Sequence, residues 1–313
     1  LKHQYAAAGP VQSAPVKHGT MVLFADAAGY TWAYEEGDEL PKWKHYGGAP
    51  IMASPTLADG RVFVSNVGSV VYALDINDGS LIWRHMQEKD VHRKSRMELY
   101  GSPSPALHGD LVLAGFHDGS MVALTRDTGE RQWQRRVGEG RYPDLLGAPL
   151  VAERDVIVAG FSKPLMSLNL DTKNVRWRID AGGTSAPVSD GTWVVHGGSD
   201  GKLRSLDRLT GAPKWTWEAP SSGSLTQPVL TDAGIFVGSS TEGLYLIDAA
   251  SGEEVWGFEP GYKTTGVSAN LAVEGRQIVM VTNAGRILSL VVPDGSSDWA
   301  KDVGVLPKEG ILE

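Results

Sequence analysis

The sequence predicts an all-β fold, a single β-propeller of about seven four-stranded blades. Two observations predict it: a repeat that runs along almost the whole chain, and a composition rich in turn residues. The 313-residue chain contains 38 Gly and 17 Pro, too many for long helices and suited to short strands joined by turns. Self-similarity at a period of roughly 20–50 residues is typical of repeat architectures.

The repeat is visible in the distance from a proline to a tryptophan. Six prolines each stand 28 residues before a tryptophan. The pairs are Pro15 with Trp43, Pro55 with Trp83, Pro105 with Trp133, Pro149 with Trp177, Pro187 with Trp215, and Pro228 with Trp256. In a seventh, degenerate copy, Asn270 and Trp299 are separated by 29 residues. Six equal spacings are not expected by chance, so the copies predict seven blades.

Each unit contains the same order of strands and turns. In LVLAGFHDGSMVAL (111–124), apolar and polar residues alternate around a glycine turn, which predicts two half-buried strands. A last turn is predicted by a glycine four residues before the tryptophan, where positive φ is needed. These glycines are Gly79, Gly129, Gly211, Gly252 and Gly295. The predicted blades are residues 11–47, 51–87, 101–137, 147–180, 183–219, 225–260 and 266–303, all in one domain, with 1–5 as a closing strand on the last blade.

The repeated tryptophans are predicted to be structural. Each stands on the last strand of its unit, so each is expected near the outer rim, wedged between neighbouring blades. A ligand-binding residue would not recur in every blade. The residues are Trp43, Trp83, Trp133, Trp177, Trp215, Trp256 and Trp299.

Composition and charge exclude several classes of function. The net charge is -8, which argues against a general binder of nucleic acid or anionic membranes. The chain has no Cys, so it has no disulfide, thiolate zinc site or cysteine nucleophile. No run approaches the ~20 apolar residues of a membrane-spanning helix. The first residues, LKHQYAAAGP, lack the apolar run of a signal peptide, so we expect either a cytosolic protein or one whose signal has been removed.

Two segments resemble catalytic or metal-binding motifs and are better explained as repeat turns. Residues 197–201 (GGSDG) fit the G-x-S-x-G pattern, but they are equivalent to the hairpin turn at 115–119 and no helix is predicted after them. Residues 75–79 begin like a calcium loop, yet Met86 stands where its bidentate Glu should be. The eight histidines form no motif with metal-ligand spacing. We therefore predict no enzyme activity, no metal and no cofactor.

The two longest links between blades are the candidate binding surface. Trp83 and Pro105 are 22 residues apart and enclose the charged run EKDVHRKSRMEL (88–99). Trp133 and Pro149 are 16 residues apart and enclose GEGRYPDLLG (138–147). Both links connect an outer strand to the next inner strand, so they are predicted on one face of neighbouring blades. Loops on one face of a rigid scaffold are where binding commonly occurs.

The units resemble the PQQ-like repeat of quinoproteins, as in VYALDINDGSLIW (71–83) and VALTRDTGERQW (122–133). Two kinds of protein share this repeat. Quinoprotein dehydrogenases bind PQQ and calcium and typically carry adjacent cysteines, which this chain lacks. From residue 51 onward, the order of blades is similar to the outer-membrane assembly factor B family, including GSPSPALHGDLVLAG (101–115) and LTQPVLTDAGIFVGSSTEGLYLID (225–248). That family is eight-bladed, whereas seven units are counted here.

The resemblance implies a set of partner-binding residues on the two links. In the family, these links contact the barrel-forming subunit of the assembly machinery. Met97, Leu99 and Asp144 match the residue types found at that contact. Tyr100 replaces an arginine, and Leu146 replaces an aspartate. The interpretation is an apolar anchor with Asp144 as a rim charge.

The predicted function is therefore a non-enzymatic docking subunit in the periplasm, monomeric by itself, with a possible lipid anchor upstream. Its expected partner is the barrel-forming subunit, and no nucleic acid or cofactor is expected. Two alternatives remain: an enzyme that binds a quinone or small ligand on the propeller axis, and an exported repeat protein with an unrelated protein partner.

Overall fold

The computed structural model describes residues 3–88, 101–260, 266–274 and 277–291. Every regular element in these residues is a β-strand, and the 27 strands form seven antiparallel sheets. Six sheets have four strands, and the seventh has three in the described part of the chain. The predicted all-β propeller of seven blades is confirmed. The outer strand predicted around Trp299 lies outside the described residues.

The first four sheets follow one another along the chain. The first contains β1 (Val16–His18), β2 (Met21–Ala25), β3 (Tyr30–Glu35) and β4 (Trp43–Tyr46). The second contains β5 (Thr56–Ala58), β6 (Arg61–Asn66), β7 (Val70–Asp75) and β8 (Leu81–Met86). The third contains β9 (Ala106–His108), β10 (Leu111–Gly115), β11 (Ser120–Thr125) and β12 (Arg131–Arg136). The fourth contains β13 (Leu150–Ala152), β14 (Asp155–Ala159), β15 (Leu165–Asn169) and β16 (Val175–Ile179).

Three further sheets complete the described chain. The fifth contains β17 (Val188–Ser189), β18 (Trp193–Gly197), β19 (Lys202–Asp207) and β20 (Pro213–Glu218). The sixth contains β21 (Val229–Thr231), β22 (Gly234–Gly238), β23 (Leu244–Ile247) and β24 (Glu254–Phe258). The seventh contains β25 (Ala272–Glu274), β26 (Gln277–Val281) and β27 (Ile287–Val291).

The chain divides into two compact units. The first comprises residues 1–187 with 209–211 and holds the first four sheets, and the second comprises residues 188–208 with 212–313. Within each sheet, strands pair in sequence order. The middle strands are the most buried, as β6 and β7 show, because their side chains pack on both faces. The outer strands are mostly exposed apart from the tryptophan, as in β8.

The tryptophan of one sheet lies against the hairpin that follows in the next. Trp43 donates its indole N–H to Ile76 O at 2.9 Å, which satisfies the polar atom of a buried aromatic side chain. Its ring lies over Gly79, where a Cβ would stand 2.5 Å from Trp43 Cε3. Gly79 has a φ of +71°, as predicted for the turn. The glycine therefore provides both the turn conformation and the space for the ring.

The same arrangement recurs inside both units. Trp83 donates to Arg126 O at 2.8 Å and lies over Gly129. In the second unit, Trp215 donates to Ala249 O at 3.1 Å and lies over Gly252. In the first unit, Trp177 likewise packs on Gly211. In the second unit, Trp256 is only partly buried.

One junction in the first unit departs from this pattern. Lys173 stands where the other hairpins have glycine, four residues before Trp177, and it has a φ of +61°. By the spacing of the repeat, Trp133 is the tryptophan expected to pack on this hairpin, and it is only partly buried. Its buried indole nitrogen has no hydrogen-bond partner among the described residues. Arg135 donates to Lys173 O at 2.9 Å, so the hairpin remains attached to the third sheet.

The N-terminal residues correct one prediction. His3, Gln4 and Tyr5 form no strand, so the closing strand predicted for 1–5 is wrong for these three residues. Tyr5 packs instead on Tyr34 of the first sheet, with ring centres 4.8 Å apart. Tyr34 also donates its hydroxyl to Ala6 O at 2.8 Å. Leu1 and Lys2 lie outside the described residues.

Candidate docking site

The shorter of the two candidate links, residues 138–147, is fixed at its start by backbone hydrogen bonds. It leaves β12 where Gly138 N donates to Gly119 O at 2.8 Å. Glu139 N then donates to Lys163 O at 3.0 Å. These acceptors belong to hairpin turns of the third and fourth sheets, so the link spans two neighbouring sheets of the first unit.

The end of this link is held by Asp144. Its backbone oxygen accepts from Phe161 N at 2.8 Å, and Leu145 forms a bridge with Gly160. The Asp144 carboxylate is 0 % exposed and lies 3.2 Å from Nδ1 of His117, which is also buried. The expectation of an exposed rim charge at Asp144 is therefore wrong. The Asp144 carboxylate points into the protein. A buried polar group needs a polar partner, and the His117 imidazole supplies one.

The longer link is attached to the same part of the third sheet. Gln87, at its start, donates through Nε2 to Asp118 Oδ2 and Ser120 Oγ, each at 3.1 Å. At its end, Gly101 lies against Leu146, with a Cβ position 3.3 Å from Leu146 Cδ2. The described ends of both links therefore meet around the turn at residues 116–120.

The predicted partner-binding residues are only partly described. Met97, Leu99 and Tyr100 lie outside the described residues. Leu146 is partly exposed, so its side chain reaches the surface beside Gly101. The buried Asp144 side chain holds the link in place and presents no charge at the protein surface.

The same link carries an aromatic cluster whose residues were not among those predicted for the site. The guanidinium carbon of Arg141 lies 5.4 Å from the ring centre of Tyr142. The Tyr142 and Phe161 rings meet edge to face, with centres 6.2 Å apart and an interplanar angle of 85°. Arg141 is exposed, and both rings are partly exposed. The Arg-Tyr pair in GEGRYPDLLG was a usable signal, because these types are enriched at the centres of interfaces. Phe161 comes from the next sheet, so its contact was not visible in the spacing.

Two ion pairs lie beside this cluster. Glu139 accepts two hydrogen bonds from Arg178, both at 3.0 Å. The Arg178 guanidinium lowers the pKa of Glu139, and Glu139 raises the pKa of Arg178. Lys163 lies 3.1 Å from Asp180. These pairs are exposed to solvent, so they contribute more to the positions of the charges than to stability.

The segments that resembled catalytic motifs are turns of the repeat. Gly198 N donates to Lys202 O at 2.9 Å in the hairpin between β18 and β19, and no helix follows. Gly79 N likewise donates to Asp75 O at 2.9 Å in the turn between β7 and β8. The described part of the chain brings no three His, Asp or Glu side chains together as a metal site. Nor does it contain a helix long and apolar enough to cross a membrane.

Fold and site together define a β-propeller of the quinoprotein-repeat class with a loop surface built by the two links that join its second, third and fourth sheets. A family model described as outer membrane protein assembly factor BamB matches residues 3–217 and 180–310. Because these matches cover nearly the whole chain, the protein belongs to this family.

Individual relatives are distant. The chain is 25% identical to an outer membrane protein assembly factor BamB of Legionella pneumophila, over 89% of this chain and 83% of that protein. It is 25% identical to the Burkholderia pseudomallei protein of the same name, over 80% of this chain and 66% of that protein.

Solved structures show the same fold. BamB from Moraxella catarrhalis is similar with a TM-score of 0.79 at 21% identity, over 92% of this chain and 87% of that one. A quinohemoprotein alcohol dehydrogenase from Pseudomonas putida is similar with a TM-score of 0.62 at 15% identity, over 75% of this chain and 51% of that one. These likenesses concern the fold alone.

Proposed function

We propose that this protein is a non-enzymatic docking subunit of the machinery that assembles outer-membrane β-barrel proteins. It would act in the periplasm, attached to the outer membrane through a lipid anchor upstream, and would be monomeric by itself. Family membership supports the assembly role. The observation that carries the docking role is the meeting of the two long links around the turn at residues 116–120.

The geometry supports a surface whose described link ends are preorganised. The Asp144–His117 pair and the hydrogen bonds from Gln87 hold the ends of both links on rigid sheets. A surface fixed before binding loses less conformational entropy when a partner docks. Its apolar part would be Leu146 together with Met97, Leu99 and Tyr100. The partner would be the barrel-forming subunit of the assembly complex, in contact with this apolar part.

The test is binding to the purified periplasmic domains of the barrel-forming subunit. Leu99→Asp and Leu146→Asp should each weaken binding by about 30-fold or more, because a charge would enter a desolvated apolar contact. The matched control is Leu40→Asp, since Leu40 lies between β3 and β4 and is 78 % exposed. All three variants should melt like the wild type.

Two results would overturn the proposal. One is normal binding by both Leu99→Asp and Leu146→Asp. The other is tight calorimetric binding of PQQ with calcium, or dehydrogenase activity with an artificial acceptor, which would favour the quinoprotein enzyme instead.

A further inference from the structure

The cluster of Arg141, Tyr142 and Phe161 is held in place on both sides. The hydrogen bond from Glu139 N to Lys163 O comes before it, and the bond from Phe161 N to Asp144 O comes after it. The link therefore lies along the hairpin turn of the fourth sheet, and the two rings meet in a fixed orientation. Aromatic side chains held in this way offer contact area with little loss of side-chain entropy on binding.

The charges around the cluster are unevenly compensated. Arg178 is paired with Glu139, and Lys163 is paired with Asp180. Arg141 is exposed and has no carboxylate partner among the described residues, and its guanidinium lies against the Tyr142 ring. Stacking on the ring orients the guanidinium while its N–H donors remain available. An acceptor from outside the chain can therefore bind to it.

We propose that Arg141, Tyr142 and Phe161 form the anchor of the docking surface, and that they take a protein segment presenting a carboxylate beside an apolar side chain. The carboxylate would bind the Arg141 guanidinium, and the apolar side chain would pack on the paired rings. This inference rests on the proposed docking function and names the chemistry that the partner must bring.

Charge favours a protein segment over an anionic lipid surface. Each basic residue adds only a little to the attraction of an anionic membrane, so membrane binding requires several unpaired cations close together. Among the described residues, the neighbouring cations Arg178 and Lys163 are already paired, and the net charge of the chain is -8. One oriented arginine beside two aromatic rings is instead typical of a hot spot in a protein interface.

The experiment measures association and dissociation rates against the periplasmic domains of the barrel-forming subunit. Arg141→Glu should weaken binding by about 100-fold, and Arg141→Lys by about 10-fold, because lysine keeps the charge but loses the planar donors. Tyr142→Ala should weaken binding by about 30-fold, mainly through faster dissociation, whereas Tyr142→Phe should keep most of the affinity. Circular dichroism melting would show that each variant folds.

Matched controls are available elsewhere in the first unit. Arg154→Glu changes an exposed arginine in the β13–β14 turn, and Tyr46→Ala removes a tyrosine that is 58 % exposed in the first sheet. Neither should alter binding.

If the wild type binds and the Arg141 and Tyr142 variants bind equally well, the anchor is wrong and the docking function stands. If the wild type does not bind at all, the docking function fails and the anchor fails with it. Loss of binding to phosphatidylglycerol vesicles, without change in protein binding, would assign the cluster to a membrane contact and overturn the inference.

Discussion

At Gly79 the backbone has a φ of +71°, and the Trp43 ring occupies the place of a β-carbon. Gly60 has the same φ of +71°, but its β-carbon position meets nothing closer than Ile76 Cγ2 at 4.0 Å. The two glycines share the conformational requirement and differ in the ring contact. Alanine substitutions at the two positions therefore separate the free-energy cost of positive φ from the free-energy cost of displacing the tryptophan ring.

Gly60→Ala should destabilise the fold by about 1 kcal/mol, the usual penalty for an L-residue in this conformation. Gly79→Ala should cost about 3 kcal/mol, because the new methyl group also overlaps the Trp43 ring and forces it to move. Urea unfolding measures both values. Equal losses in the two variants would show that the ring contact contributes nothing.

The sequence predicts the conformation of Gly79 but not its contact with Trp43. A glycine at a fixed distance from the next tryptophan indicates a turn, because only local backbone geometry is needed for that inference. Trp43 belongs to the preceding unit, and spacing does not tell which ring meets which turn. Asp144 shows the same limit: its partner His117 is 27 residues away, so an aspartate on a link was wrongly interpreted as an exposed charge.

At the level of elements, the N-terminal segment is attached to the first sheet through Asp26. This buried carboxylate accepts from Ala8 N at 2.9 Å and from Trp32 Nε1 at 2.8 Å. Its other oxygen accepts from Ala28 N and Tyr30 N, both at 3.0 Å. Four donors compensate the burial of the charge, so the segment is bound by well-satisfied polar contacts as well as by the Tyr5 ring.

Deletion of residues 1–8 should lower the melting temperature by several degrees. It uncovers Phe24 and Tyr34 and removes one donor from Asp26, and the lost apolar burial is the larger effect. Tyr5→Ala in the full-length chain should reproduce part of the decrease. Differential scanning calorimetry measures both, and an unchanged melting temperature after the deletion would show that the segment is not structurally bound.

The strand prediction for this segment failed for a physical reason. His3 stands 12 residues before Pro15, as Trp43 stands 12 before Pro55, and the spacing alone suggested an outer strand. The segment lacks the alternation of apolar and polar residues that is typical of a β-strand. Its tyrosine, Tyr5, packs on aromatic side chains of the first sheet. The strands inside the repeats were easier to predict, because alternation and turn glycines agree in each unit.

For the molecule as a whole, the junction between the third and fourth sheets is the one in the first unit that departs from the tryptophan–glycine pattern described above. At the two preceding junctions the tryptophan N–H binds a carbonyl seven residues before the next tryptophan, that of Ile76 and that of Arg126. At this junction the equivalent carbonyl belongs to Leu170, and the N–H of Trp133 has no partner among the described residues. The missing glycine is visible in the sequence, whereas the unpaired N–H is visible only in the structure.

Lys173→Gly should raise stability by about 1 kcal/mol through relief of positive φ alone, and by more if Trp133 then settles onto the glycine and donates to Leu170 O. Ser69→Gly is the matched control, since Ser69 has a φ of +59° in the turn between β6 and β7. Thermal unfolding compares the two variants. If Lys173→Gly raises stability no more than Ser69→Gly does, the residue at position 173 does not affect the packing of the Trp133 ring.

The unequal junctions also determine where the first unit opens to solvent. Amide exchange in a repeat array reports partial opening, in which neighbouring sheets separate before the whole chain unfolds. Because Trp133 N–H is unpaired among the described residues and Lys173 has a positive φ, we expect an early opening between the third and fourth sheets. The candidate docking link, residues 138–147, spans this same junction. A partner bound across the link would therefore slow deuterium uptake at the junction, so that docking would also protect the scaffold from local unfolding.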